Sequence, residues 1–354
     1  MLNHDSPVLH ALLFTLLATV SGCQGGSFDY GPGNTLRVQG RYLLDTCGNP
    51  LVIRGVEQPM AGPFEAEQYG TLEGTIDEIA RTGANAVRLL FDVTPGEVEG
   101  FEDPANIERI IDAAVRHQLV VYFTGGSYDW QPDPDGSFRS SYRAWLAQDA
   151  IKAIVNRYKK WVIVDAGGES IARTRQLWRD EAIQDILAVR AMGYTVPLVT
   201  IGPTSGRDLP AILEYGAAVE RADPLHNTIV GWQAYWGSSG WYQGAYGDQM
   251  GLSLPTSIAN GIEVASAQDF PIQVGLDYHS DPNEICDYQS GMRAAGESNV
   301  GWLWWAYYHP LEWPVWQNGL STNGLESSLH NPYGPAVVGT SPYALNSAVK
   351  ACGT

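Results

Sequence analysis

Along most of the chain, short apolar runs alternate with stretches in which apolar residues recur every three or four positions. The helical spacing marks residues 73–82, 107–117 and 142–158. Apolar runs of strand length fall at 52–56, 84–90, 119–123, 161–166, 196–201, 228–235, 271–276 and 300–306. A strand–helix–strand rhythm implies parallel pairing through crossover connections. The eight strands so predicted close most simply into a single (β/α)8 TIM barrel. An open doubly wound sheet is the rival arrangement, but no Gly-rich phosphate loop follows the first strand. Ahead of the barrel, RVQGRYLLDTCGNPLVIRGVEQ alternates apolar and polar residues around Cys47-Gly48-Asn49-Pro50. That pattern predicts an N-terminal β-hairpin, here expected to cover the barrel floor.

The N-terminus follows different rules. Residues 8–20, VLHALLFTLLATV, form an apolar run too short to span a bilayer, and small residues and Cys23 follow. Residues 1–22 are therefore expected to be an export signal. Val20-Ser21-Gly22-Cys23 resembles a bacterial lipobox, with Cys23 as the lipidated residue. A plain secretory signal cut nearby is the alternative. Residues 23–35 are Gly-rich and polar, as a tether would be, and 36–354 make the barrel. The expected location is a lipid anchor at the bacterial outer membrane or cell surface, or secretion. Export also permits disulfides. The barrel register puts Cys47 and Cys352 together at the floor and Cys286 at the opposite face. A Cys47–Cys352 bond with Cys286 a free thiol is the expected pairing.

Composition narrows the ligand. The chain has 354 residues, 44% hydrophobic and 17% charged, enough apolar surface for a globular core. Its formal charge of −18 argues against nucleic acid and leaves a lipid anchor as the one route to a membrane. The 12 Trp and 18 Tyr exceed what a core needs, and such rings often line a binding surface. A neutral, hydroxyl-rich ligand with apolar ring faces fits both facts. His226, His279 and His309 show no ligand-like spacing, so neither metal nor cofactor is expected.

In a barrel of this kind the function sits at the C-terminal strand ends. There the opening GNPLVIRGVEQP, then TGANAVRLLF, then ADPLHNTIV before a Tyr-bearing strand end, and finally GWLWWAY resemble the first, second, sixth and eighth units of glycoside hydrolase family 5. This is the family of many cellulases and β-mannanases. The resemblance implies a retaining mechanism with two carboxyl groups about 5–5.5 Å apart, after strands four and seven. It places Glu169 at the acid/base, Arg88 at the arginine that steadies the carboxylates, Tyr235 at the sixth strand end and Trp305 at the sugar platform. Trp130, Trp236 and Trp241 join them as expected substrate-binding aromatics, with Tyr128, Trp232, Tyr242, Tyr307, Trp313 and Trp316 also near the mouth.

The chain departs from the family pattern in one constellation. The asparagine before the acid/base is Gly168, the histidine before Tyr235 is Gln233, and Thr124 stands in a segment that normally holds histidine. In the seventh strand the motif aligns its nucleophile with Leu276, which has no lone pair for an anomeric carbon. Asp277 follows; strand alternation would aim it away from the cleft unless a bulge intervenes. Glu57, Asp92 and Asp129 also lie near strand ends. These residues lead to the expectation of a cell-surface protein that binds a β-linked polysaccharide, mannan or glucan, without retaining catalysis. The alternative is an active endo-glycosidase in which Asp277 or another acid works with Glu169.

Overall fold

The structure is a computed structural model that describes residues 34–59, 72–93, 103–126, 137–168, 174–203, 206–234, 258–277, 288–308, 319–321, 326–329 and 333–352. It begins with the antiparallel pair β1 (Arg37–Gln39) and β2 (Tyr42–Leu44). The eight barrel strands are β3 (Arg54–Pro59), β4 (Ala86–Asp92), β5 (Val120–Gly126), β6 (Val162–Asp165), β7 (Leu198–Ile201), β8 (Thr228–Gln233), β9 (Ile272–Asp277) and β10 (Gly301–Trp305). Each pairs in parallel with its neighbours, and β10 closes on β3 through Trp302↔Arg54 and Leu303↔Gly55. The described helices are α1 (Leu72–Arg81), α2 (Pro104–Arg116), α3 (Ser137–Leu146), α4 (Asp149–Arg157), α5 (Arg175–Ala191), α6 (Leu209–Ala222), α7 (Ile258–Ser266), α8 (Tyr288–Glu297) and α9 (Tyr333–Val338).

The predicted TIM barrel is therefore present, with its hairpin. One predicted helix divides: residues 142–158 fall into α3 and α4, because Gln148 takes an extended conformation (φ −63°, ψ 135°) between them. Helix starts follow local chemistry. Asp103 accepts a hydrogen bond from Ala105 N at 2.9 Å ahead of Pro104, and Thr174 accepts from Leu177 N at 3.1 Å. In α2 the buried Ile107, Ile110, Ile111 and Ala114 form the stripe that meets the barrel.

Strand alternation sorts the core into two shells. Outward residues such as Val87, Val121, Val164, Val274 and Trp304 join the helices in the larger cluster. Inward residues Ala86, Val120, Tyr122, Ile163, Val199, Ile229 and Leu303 form a smaller one with Leu36, Leu43 and Ile53. The hairpin thus seals the floor with apolar side chains. Cys47 and Cys352 are disulfide-bonded there, with Cα atoms 5.8 Å apart.

Candidate active-site cleft

Above the floor the inward positions turn polar. On β3 and β4 the paired residues Glu57 and Arg88 are each about 1% exposed, and Arg88 Nη1 donates to Glu57 Oε2 at 2.6 Å. Arg88 Nε donates to Thr124 Oγ1 on β5 at 3.2 Å, and Nη2 lies 3.6 Å from Asp165 Oδ2 on β6. One guanidinium thus joins two buried carboxylates and ties β3, β4 and β6 together. A buried pair of this kind adds little net stability, but losing one partner leaves a stranded charge. The arrangement fixes geometry more than it stabilises.

Asp165 carries the network to the expected acid/base. Its Oδ1 accepts from Gly167 N at 3.2 Å and Gly168 N at 3.0 Å, which turns the chain directly before position 169. Gly168 has φ +64°, and a Cβ there would lie 2.9 Å from Gly125 O and from the Phe138 ring. The turn therefore takes glycine for both reasons. On the far side of the barrel Gln233 ends β8 at 5% exposure, and Gln273 on β9 is 8% exposed. Tyr122 rises from β5 below them; burial pushes its phenol well above the ordinary tyrosine range, so it stays protonated.

The seventh barrel strand corrects the sequence reading. Leu276 is fully buried and packs in the outer shell, 3.4 Å from where a Cβ on Gly291 of α8 would stand. Gly275 faces inward instead: a Cβ on it would overlap Gln233 Oε1 and lie 3.5 Å from Glu57 Oε1. The pairing of β9 with β10 runs without a bulge from Gly301↔Gln273 to Trp305↔Asp277. The backbone of Asp277 therefore has the parity of Gly275, opposite Trp305. Leu276 does not face the cleft, contrary to the alignment of the motif. Trp305 is 7% exposed and clusters with Leu90 and Ala306 at the mouth, while the expected mouth aromatics Trp232 and Tyr307 are buried in the outer shell.

Glu169, Tyr235, Trp236, Trp130 and Trp241 lie outside the described residues, as do Asp129, Cys23 and Cys286. Among the predicted residues the structure brings Arg88, Thr124, Gly168, Gln233 and Trp305 to one end of the barrel. Three others there were not singled out: Asp165, Tyr122 and Gln273. The signal was present, since an acid and an amide interrupt strands that should read as continuous apolar runs. Among the described residues no group of three His, Cys, Asp or Glu side chains is spaced to hold a metal ion.

Around this polar barrel mouth, the chain as a whole is cellulase- and β-mannanase-like: it resembles glycoside hydrolase family 5. The proteins it resembles include mannanases and an endoglucanase, Cel5A of Thermobifida fusca, with a TM-score of 0.59 at 17% identity over 86% of this chain and 96% of the other. The chain is 24% identical over 283 residues to a mannan endo-1,4-β-mannosidase of Salipaludibacillus agaradhaerens, covering 78% of this chain and 82% of the relative. The catalytic domain of a mannanase from Streptomyces sp. SirexAA-E superposes with a TM-score of 0.72 at 17% identity, covering 97% of this chain and 98% of the other. A Thermomonospora fusca β-mannanase in complex with mannohexaose gives 0.71 at 19%, covering 90% and 98%. No protein-family model matches the chain.

Proposed function

We propose that this protein binds a β-1,4-linked polysaccharide of the mannan class in the barrel mouth and cleaves it, with Glu169 as acid/base and Asp277 as the second carboxyl group. The register of β9 carries this reading. Leu276 belongs to the outer shell, so it does not stand in for a cleft carboxylate, and the next position on the parity of Gly275 is an acid paired with Trp305. Retaining cleavage requires two carboxyl groups about 5–5.5 Å apart, which the family resemblance places after the fourth and seventh barrel strands. Glu169 follows the turn that Asp165 holds, and Asp277 ends the seventh strand. The mannan class is supported by the mannanases that the chain resembles, one of them solved with mannohexaose. Export and a lipid anchor at Cys23 would keep captured polymer at the cell surface.

A second reading is binding without cleavage, and Gly168 favours it. Where the family carries an asparagine toward the sugar's 2-hydroxyl, this chain has no side chain and little room for one. Incubation of the pure protein with mannan and with β-glucan, followed by assays of reducing ends and of polymer retention, separates the two. Mannan cleavage that disappears in both Glu169→Gln and Asp277→Asn, with binding kept, supports hydrolysis by this pair. Retention without new reducing ends overturns it in favour of binding alone, and cleavage that survives Asp277→Asn removes Asp277 from the mechanism.

A further inference from the structure

Barrel interiors of this fold are ordinarily filled by layers of branched apolar side chains. Here the layer above the floor contains a small void of about 10 Å³, lined by Glu57, Arg88, Tyr122, Gln233, Gln273 and Gly275 among others. Gly231 and Gly301 flank Gln273 on the neighbouring strands, and the space over them is taken by the side chains of Ile201 and Ile53. The side-chain oxygens of Gln233 and Gln273 are both buried, and neither has a hydrogen-bond partner among the described residues. Each such oxygen would normally carry a desolvation penalty, so native interiors rarely leave two in one place.

The chemistry of the lining defines what fits. Gln233 Oε1 lies against the backbone of Gly275, on the side where Glu57 Oε1 also approaches. Acceptor oxygens from three strands thus surround one space, with the protonated Tyr122 phenol below. A group with two donor hydrogens and an accepting lone pair satisfies this set, and a void of this volume admits about one water. We propose that the chamber is a built water site, and that Gln273 is a positioning residue: through the bound water it holds the Gln233 amide in the orientation that meets a sugar hydroxyl in the cleft. The first half stands on geometry alone, and the second rests on the glycan-binding reading above.

The test compares wild type with Gln273→Leu by thermal melting and by titration with mannohexaose, and adds a high-resolution crystal structure of the wild type. The leucine takes away one of the groups that hold the water and leaves the buried Gln233 oxygen unsatisfied, so Tm is expected to fall modestly. Affinity for mannohexaose is expected to fall roughly five- to tenfold, since Gln233 loses its support. A purely structural role for Gln273 would move Tm and leave affinity unchanged, and that result overturns the positioning role. If Gln273→Leu fails to fold, Gln273→Met serves the same comparison. A crystal structure with no ordered water between Gln233 and Gln273 overturns the chamber, and one with such a water supports it even where wild type binds no glycan. Absence of wild-type binding would sink the functional reading separately.

Discussion

At the floor of the barrel the inward residues are Ala86, Val120, Ile163, Ile229 and Leu303, closed by Leu36 and Leu43 of the hairpin and stitched by Cys47–Cys352. At the mouth the same strands present Arg88, Thr124, Asp165 and Gln233, with glycine at 275. The floor is a packing problem with one solution class: fill the space with apolar volume. The mouth is held by directed bonds among a few buried polar groups, each depending on the others. Packing concentrates at one end of the molecule, and the polar network lies at the end where barrels of this kind carry their chemistry. The outer shell follows the floor's rule at the stretch of β9 that carries Leu276.

Leu276→Glu is the sharpest way to break that contrast. Aligned with the family motif, the substitution reads as restoration of a missing nucleophile. In the structure it places a carboxylate in the apolar outer shell, beside Ile258 of α7 and Gly291 of α8. Loss of a fully buried leucine together with burial of an unpaired acid is expected to cost about 5 kcal/mol or more, enough to unfold many domains of this kind. Chemical denaturation should show the loss, with no gain in reducing ends from mannan. A well-folded, more active Leu276→Glu protein would mean that the strand register is shifted by one.

The mouth network should respond next. Arg88→Met removes the guanidinium that joins Glu57 and Asp165, leaving two buried carboxylates without their shared cation. The expected cost is about 3–5 kcal/mol. Glu57→Gln with Arg88→Met should recover part of it, since one stranded charge is removed; a double-mutant cycle measures the coupling. At the floor, Cys47→Ser opens a link spanning 305 residues. The expected loss is about 2–4 kcal/mol, seen as a lower Tm with mannan binding unchanged at temperatures where the protein stays folded. A change in binding at such temperatures would show that floor and mouth are coupled.

The sequence made the floor and the strand order legible because both rest on periodicity: apolar runs, helical stripes and a turn at Gly48-Asn49 are all local signals. The polar residues at strand ends were legible where a motif named them, as for Arg88 and Gln233. What failed was the direction of a single strand. The motif GLD in β9 aligns Leu276 with a cleft residue, yet facing is set by parity from the strand start and by pairing with β10, neither of which a short motif records. Gln273 held the clue. A polar residue two before Gly275 and four before Asp277, in an otherwise apolar run, gives the parity of the inward face. Trp232 and Tyr307 were misassigned for the same reason, since aromatic identity alone does not separate cleft from shell.

The smallest expected effect concerns the turn that leads to Glu169. Gly168→Asn would return the amide that the family carries there, and asparagine tolerates positive φ better than most residues. Dihedral freedom is only half of the requirement. The new Cβ would lie 2.9 Å from Gly125 O, a backbone atom of β5 that has nowhere to move, and as close to the Phe138 ring. The turn is also pinned by Asp165 Oδ1, which accepts from the amides of Gly167 and Gly168. A destabilisation of about 1–2 kcal/mol is therefore expected, with no gain in mannan cleavage. Adding Phe138→Leu should relieve the ring contact and leave the clash with Gly125 O. Thermal melts of the single and double variants then separate the two contacts: recovery of part of the loss assigns it to the ring, and full recovery would mean that the backbone of β5 yields more than its pairing with β4 and β6 implies.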